Sequence, residues 1–373
     1  MKKSVGAIVS VLKPVDDTRM YHKMAQSLAR TGKFSVNILG FYSNTHSSFT
    51  DIKFHPIFRF NLRSFARLLA NFRAFFCLFQ TRPNFIIVNT PELAPAVLLY
   101  ALLFTQTKVF YDIRENHTRN IVYHHGKRER LRKWLAHFIE YLDKQLATRS
   151  QQLLVAEAGY FQEKPWLRQY SHLLLENKVL AKPRTKYPAN DDQVTLVYTG
   201  TISTFYGIWD AIRFAESLYR ALKGKLRFVL MGHVTQVDTY QQLINQLAIK
   251  SWIVPTISLQ PIPHQQLLAA MQEAHFGMIS HQILPSIENC FPTRVWEYMH
   301  YQLPFFLQNH SPWVDYCKPW QSAIPVDFSQ ESWSMSELVN KMKNTSFYPH
   351  GKPDNIYWDE LAFVSAIERA LQD

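Results

Sequence analysis

Residues 85–111 read FIIVNTPELAPAVLLYALLFTQTKVFY, and this stretch decides the fold. It predicts a strand over 85–88, a helix over 94–104 and a second strand over 108–111. Strand, helix and strand in quick succession are the unit of a parallel sheet with helices on both faces. The rhythm extends in both directions. Toward the N-terminus lie a long helix over 62–80, a strand over 35–41, and a helix over 18–31 that sets Met20, Met24, Ala25 and Leu28 on one side. Gly32 suits the cap of that helix, and a buried strand over 5–12 precedes it. Toward the C-terminus a charged helix over 127–147 leads to strands over 152–155 and 172–175.

Residues 177–193 contain Lys182-Pro183, Tyr187-Pro188 and Asn190-Asp191-Asp192 without an apolar period, which predicts an interdomain linker. Beyond it the alternation restarts, with strands over 195–198, 227–231, 252–257, 276–280 and 304–307 and helices over 209–222, 239–247, 264–273 and 293–300. The expected class is α/β, with two doubly wound, Rossmann-like parallel-sheet domains facing across a cleft. Their expected bounds are 1–178 and 194–350, joined by a linker over 179–193. A terminal helix within 355–373 follows His350-Gly351-Lys352-Pro353 and is expected to pack back on the first domain.

The 373 residues, 47% hydrophobic and 19% charged, suit two buried cores and exclude a disordered or collagen-like chain. Lys plus Arg number 41 against 29 Asp plus Glu, and the resulting +12 is uneven. Residues 1–180 carry 26 basic and 12 acidic side chains, or +14, and residues 181–373 carry 15 and 17, or −2. The first half therefore suits a phosphate, an anionic lipid or a nucleic acid. No reading module or stacking platform supports the nucleic acid. Cys77, Cys290 and Cys317 are too few and too irregularly spaced for a disulfide framework or a zinc site, and fit a reducing compartment. The apolar run after Met1-Lys2-Lys3 ends at Lys13-Pro14 without a cleavage pattern, so it is expected to be a strand rather than a signal peptide. The longest greasy stretch, 93–104, is too short to span a bilayer as a helix. A cytoplasmic protein is expected.

Ligands of open parallel sheets bind beyond the carboxyl ends of the strands, so the loops after strands hold the candidates. The most informative is SHQILPSIENCFPTRVWEYM at 280–299. Pro292 suits the first helical position, and the free N–H groups of that turn, with Arg294 beside them, suit a phosphate or pyrophosphate. Glu297, one turn further, can accept hydrogen bonds from a sugar diol. The same pattern also fits a capped core helix whose Glu297 is exposed or paired. Asp16-Asp17 and Asp191-Asp192 lie in a loop and in the linker, and neither is read as a metal site.

The segment 289–299, N-x-x-P-T-R-x-x-E-Y-M followed by Gln302-Leu303-Pro304, resembles the donor-site signature of group 1 (family 4-like) glycosyltransferases of GT-B fold. Tyr198-Thr199-Gly200-Thr201-Ile202-Ser203 with Gly207-Ile208, and Met231-Gly232, resemble turns of the donor domain. Asp16-Asp17-Thr18-Arg19 through Lys23, and Tyr111 through Asn116, resemble acceptor-side segments. The resemblance runs across most of the chain. It implies sugar transfer from a nucleoside-diphosphate donor with retention of configuration, no metal and no cofactor, to a saccharide or lipid-linked acceptor in cell-surface polysaccharide or glycoconjugate synthesis. It assigns donor binding to Gly200, Thr201, Ser203, Gly232, Asn289, Pro292, Thr293, Arg294 and Glu297, with Glu297 on the ribose. Asp17, Arg19 and Lys23 would serve the acceptor side or closure. Two departures stand out. Asn289 replaces the family's frequent first glutamate, and the loop 201–207 lacks the usual Arg and Lys, so charge would come from Arg294, from helix termini, or from Arg19 or Lys23.

Glu115 and His117, just after the strand over 108–111, are the catalytic candidates; a structural or solvated histidine is the alternative. Arg63, Arg67 and Arg73 share residues 58–82 with seven phenylalanines. Either the arginines face anionic lipid, attaching the protein peripherally to the inner face of the plasma membrane, or the aromatics fill the core and the arginines form a solvated rim. A nucleotide-sugar epimerase and an inactive GT-B scaffold are the competing functions.

Overall fold

The computed structural model describes residues 3–58, 66–123, 129–188, 192–285 and 288–372. The chain divides into two units, Met1–Asn177 with Trp358–Asp373, and Lys178–Tyr357. The first unit contains strands β1 (Ser4–Pro14), β2 (Phe34–Phe41), β3 (Ile52–Phe58), β4 (Phe85–Val88), β5 (Lys108–Ile113), β6 (Gln152–Val155) and β7 (His172–Leu174). All pair in parallel in the order β3-β2-β1-β4-β5-β6-β7. Every residue of β4 is buried, as a strand covered on both faces requires. A π-helical stretch, Thr18–Ala25, runs into α1 (Gln26–Arg30) and turns Arg19, Met20 and Met24 inward. The other crossings use α2 (Ala66–Thr81), α3 (Ala94–Leu103), α4 (His117–Tyr123), α5 (Glu129–Arg149) and α6 (Tyr160–Glu163).

The second unit repeats the plan with β8 (Val194–Ile202), β9 (Leu226–Val234), β10 (Ile253–Ser258), β11 (Phe276–Ile279), β12 (Phe305–Gln308) and β13 (Ala323–Val326). These are parallel in the order β10-β9-β8-β11-β12-β13. Helices α7 (Ile208–Ala221), α8 (Val237–Leu247) and α12 (Met335–Asn344) cover one face, and α9 (His264–Gln272), α10 (Thr293–His300) and α11 (Ser311–Cys317) cover the other. The last helix, α13 (Glu360–Gln372), belongs to the first unit, where Phe363 and Ile367 are fully buried and Arg30 and Lys33 pair with Glu360 and Glu368. In each sheet the strand order reverses once, between β1 and β4 and between β8 and β11. Such a reversal leaves a crevice at the carboxyl ends of the strands.

Three departures from the sequence reading have local causes. Strands β3 and β13 were not expected; both lie at sheet edges and carry a proline, Pro56 and Pro325, which an edge tolerates but which breaks the apolar pattern. Residues 178–188, expected within the linker, are docked on the second unit. Val179 bridges to Tyr357, and the Arg184 guanidinium donates to the carbonyls of Tyr301 (2.7 Å) and Gln272 (2.9 Å). Such anchoring leaves no apolar periodicity to read. His117, expected only as a residue just after a strand, opens α4, a helix that the sequence reading did not include.

Candidate functional site

In the second unit the reversal between β8 and β11 brings together the turn after β8, the end of β11 and the start of α10. Gly200 adopts φ +111°, and a Cβ there would lie 2.4 Å from Arg294 Nη2. The absence of a side chain at Gly200 is what lets the guanidinium lie in the turn. Its Nε donates to the Thr199 carbonyl at 3.0 Å. The cation that the loop 201–207 lacks in sequence is thus brought to it from α10, nearly a hundred residues away. Gly232, opposite Gly200 in the β8–β9 ladder, has the same steric basis, since a Cβ there would meet the Gly200 carbonyl at 1.9 Å.

Arg294 also pairs with Glu297, one turn further along α10, and the other Glu297 oxygen bonds His264 Nε2 at 2.8 Å from the start of α9. Burial alone would raise the Glu297 carboxyl, but the Arg294 charge and the His264 hydrogen bond outweigh it and hold it at about 2. Burial and the nearby Arg294 push His281 down to about 3, so its ring is neutral at physiological pH. Because the folded-state value of Glu297 is depressed, its contribution to stability is present above the unfolded value, about 4.5, and is lost as pH falls toward 2. The size is roughly 3 kcal/mol. Acid titration of unfolding should therefore show a shallower loss between those limits in Glu297→Gln than in the wild type; parallel curves would refute the pairing.

The remaining donor candidates fall around this pair. Pro292 is the N-cap of α10 rather than its first residue, because its φ of −65° is accompanied by an extended ψ of 119°; Thr293 opens the helix. No side chain caps α10, and Thr293 and Arg294 keep part of their surface while Val295–His300 is buried. The Pro292 carbonyl accepts from Val295 N at 3.0 Å. Asn289 is half-buried in the preceding turn, which Trp313 Nε1 holds by donating to the Cys290 carbonyl. Thr201 is exposed, whereas Ser203 is buried and its hydroxyl accepts from Tyr206 N at 3.4 Å, capping the turn Thr204–Tyr206. Ser280 Oγ ties the end of β11 to the carbonyls of Tyr206 and Gly207. Sequence reading missed His264, whose only signal was its place at a helix start.

In the first unit the acceptor-side candidates are each held by neighbours within the unit. Arg19 is not available as a closing cation. It is 1% exposed, its Nη2 lies 2.7 Å from Asp112 Oδ1, and its Nη1 donates to the Leu175 carbonyl at 2.8 Å. Moving it would strip Asp112 of its hydrogen-bonded partner in the core. Lys23 is also buried and donates to Asn177 Oδ1 at 2.5 Å. Asp17 caps the π-helical stretch and takes a two-pronged bond from Arg114 at 2.8 and 3.2 Å. Burial opposes ionisation of Asp17, yet Arg114 and Lys13 hold it at about 2. Asp16 accepts from the hydroxyls of Ser43 and Thr45. Glu115 pairs with Lys13 at 2.8 Å; burial raises its carboxyl, and Lys13 and the neighbouring His117 bring it below its ordinary value. His117 is half-buried at the first position of α4. Beside it, Asn116 and Arg119 both hold Glu163 along an open recess that also includes Thr118 and Lys164. Asn89, just beyond β4 at the strand reversal, is 2% exposed with neither side-chain polar atom bonded. A buried amide without a protein partner calls for a water or another polar group beside it, and nothing in the local sequence announced it.

No protein-family model matches the sequence, and no curated protein matches it. Solved structures do match. Sucrose-phosphate synthase from Thermosynechococcus elongatus aligns over 99% of this chain and 94% of its own at 11% identity, with a TM-score of 0.63. The catalytic domain of starch synthase IV from Arabidopsis thaliana, bound to ADP and acarbose, aligns over 100% of both chains at 11% identity and 0.61. A trehalose-6-phosphate protein of E. coli, bound with UDP-2-fluoro glucose, aligns over 99% and 95% at 10% identity and 0.60. The chain has the GT-B glycosyltransferase fold. The Arg294–Glu297 pair lies within the second of two parallel-sheet units of GT-B type, at an identity too low to carry residue roles across.

Proposed function

We propose that the protein is a retaining, metal-independent glycosyltransferase that moves a sugar from a nucleoside-diphosphate donor to a saccharide or lipid-linked acceptor. Cell-surface polysaccharide or glycoconjugate assembly is the setting this reading favours. The observation that carries it is the Arg294 guanidinium lodged against Gly200 beside the uncapped start of α10, with the ionised Glu297 behind it. A guanidinium and free backbone N–H groups suit the two phosphates, and Glu297 suits a ribose diol. Transfer breaks the bond from the anomeric carbon to the diphosphate oxygen and forms one to the acceptor hydroxyl. The hydroxyl proton passes to the leaving phosphate, and Arg294 with the α10 amides stabilises the charge that develops there. In this reading Glu115 and His117, both in the first unit, orient the acceptor. In support, solved relatives of the same fold carry ADP or a UDP-sugar.

A thermal-shift screen over UDP-, GDP- and ADP-sugars should give one stabilising donor class, and Glu297→Ala should abolish that shift. A shift that survives the substitution would move the ribose site elsewhere. No shift with any donor would favour the inactive scaffold, a reading to which the mutual pairing of Arg294, Glu297 and His264 lends some support. Product formed without an acceptor, with the sugar inverted at one carbon, would favour the epimerase.

A further inference from the structure

The first unit carries an apolar surface that its own fold does not cover. On α2 the buried stripe is Ala70, Ala74 and Leu78, and the aromatics alternate outward, with Phe72, Phe76 and Phe79 exposed. Of the two readings of this segment, the one in which the aromatics fill the core does not hold for Phe72, Phe76 and Phe79. On α3, which is apolar all round, Val97 and Tyr100 face the core while Leu99, Leu102 and Leu103 face out. A helix that is apolar on every side needs cover on every side. On α5, Trp134 and Phe138 stack with ring centroids 5.7 Å apart and are exposed, flanked by Leu131 and Tyr141. Helices α2 and α3 pack together through Phe75 on Tyr100 and Phe79 on Phe104, and Arg149 of α5 donates to the Ala101 carbonyl of α3. The three stripes therefore form one neighbourhood. More than half of the large apolar side chains exposed among the described residues lie on these three helices.

The surroundings are cationic. Residues 59–110 contain six basic side chains and one acidic one, Glu92. Arg82 lies over the rings of Phe79 and Phe104 at 4.1 and 4.4 Å, and Arg73 holds the Ile57 carbonyl from the exposed side of α2. Arg130 and Lys133 are exposed beside the Trp134–Phe138 stack, Lys133 pairing with Glu129 at 2.6 Å. Arg63 lies outside the described residues, as does the side chain of Arg67. No helix among the described residues is long and apolar enough to cross a membrane.

We infer that the joined faces of α2, α3 and α5 dock on an anionic lipid bilayer, with leucines and aromatics entering the acyl boundary and the arginines and lysines at the headgroups. Charge selects this occupant. A second copy packed on the same face would set the cationic rims against each other, whereas acidic headgroups neutralise them. Trp134 and Tyr141, apolar with one polar atom each, suit the interface. The inference concerns a surface apart from the donor site, so it stands or falls independently of sugar transfer.

The test is flotation of the full chain with vesicles of phosphatidylcholine alone and with about a third phosphatidylglycerol. Wild type should float with the anionic vesicles. The variant with Leu102→Glu and Trp134→Glu should partition at least tenfold less, and Arg82→Gln with Lys133→Gln should lose a smaller, salt-sensitive part. Because Leu102 and Trp134 are exposed, their replacement should leave the melting temperature and any nucleotide-sugar shift unchanged. The inference is overturned if wild type ignores anionic vesicles, or if the glutamate variant floats as well as wild type. It is also overturned if sedimentation velocity finds a wild-type dimer that those substitutions split, which would assign the surface to a second copy.

Discussion

Arg294→Ala is expected to lower kcat/KM for sugar transfer by about 10²- to 10³-fold, the range for removing one preorganised donor from a developing oxyanion. The loop 201–207 has no cation of its own, so it supplies nothing to replace the lost charge. Arg294→Lys should recover only part of the loss, since an ammonium cannot bond Thr199, Glu297 and a phosphate oxygen with one planar group. The substitution also leaves the buried Glu297 with the His264 hydrogen bond but without its guanidinium, so stability is expected to fall as well. Adding Glu297→Ala removes that buried charge. The double variant should regain stability over Arg294→Ala, which would trace the folding loss to the unpaired Glu297 charge. Transfer within threefold of wild type in Arg294→Ala would remove Arg294 from the chemistry.

Arg19→Ala is expected to destabilise the first unit by about 3–5 kcal/mol, the usual cost of stripping one partner from a buried ion pair. The Asp112 carboxylate, which is fully buried, would be left facing the core, and Leu175 would lose the donor to its carbonyl. For a unit of this size the melting temperature should drop by on the order of 10 °C. Replacing both members by apolar residues, Arg19→Met with Asp112→Leu, should cost far less than Arg19→Ala. A reading in which Arg19 swings to the donor phosphates predicts the opposite pattern, with little change in stability and a large loss of donor affinity. Calorimetric unfolding beside nucleotide-sugar titration decides between them.

Much of the fold was legible because the inner strands leave little choice. The strands at 85–88 and 152–155 and the helix at 293–300 have the limits expected of them, since short apolar runs between turn residues can satisfy their backbone only in a covered parallel sheet. Edge strands β3 and β13 were not legible, because a strand paired on one side needs no apolar alternation and tolerates proline. Helix α2 shows the limit from the other direction. Its phenylalanines satisfy a core-facing and an outward-facing reading equally well, and alanines at 70 and 74 let the helix lie close to the sheet with the larger rings outside.

The site divides the same way. Sequence alone placed Arg294 and Glu297 at the start of a helix after a parallel strand, because helix starts and strand ends are local events governed by apolar period and proline. It could not show that Arg294 fills the space left by Gly200, that His264 completes the hold on Glu297, or that Arg19 is locked to Asp112. Those pairings join residues from 33 to more than 90 positions apart. Hydrophobic period fixes which elements form. Which charges meet, and which lose their water, is settled only when separate crossings of the sheet bring them within a few ångströms, because Coulombic and desolvation energies depend on distance and burial that no local window contains.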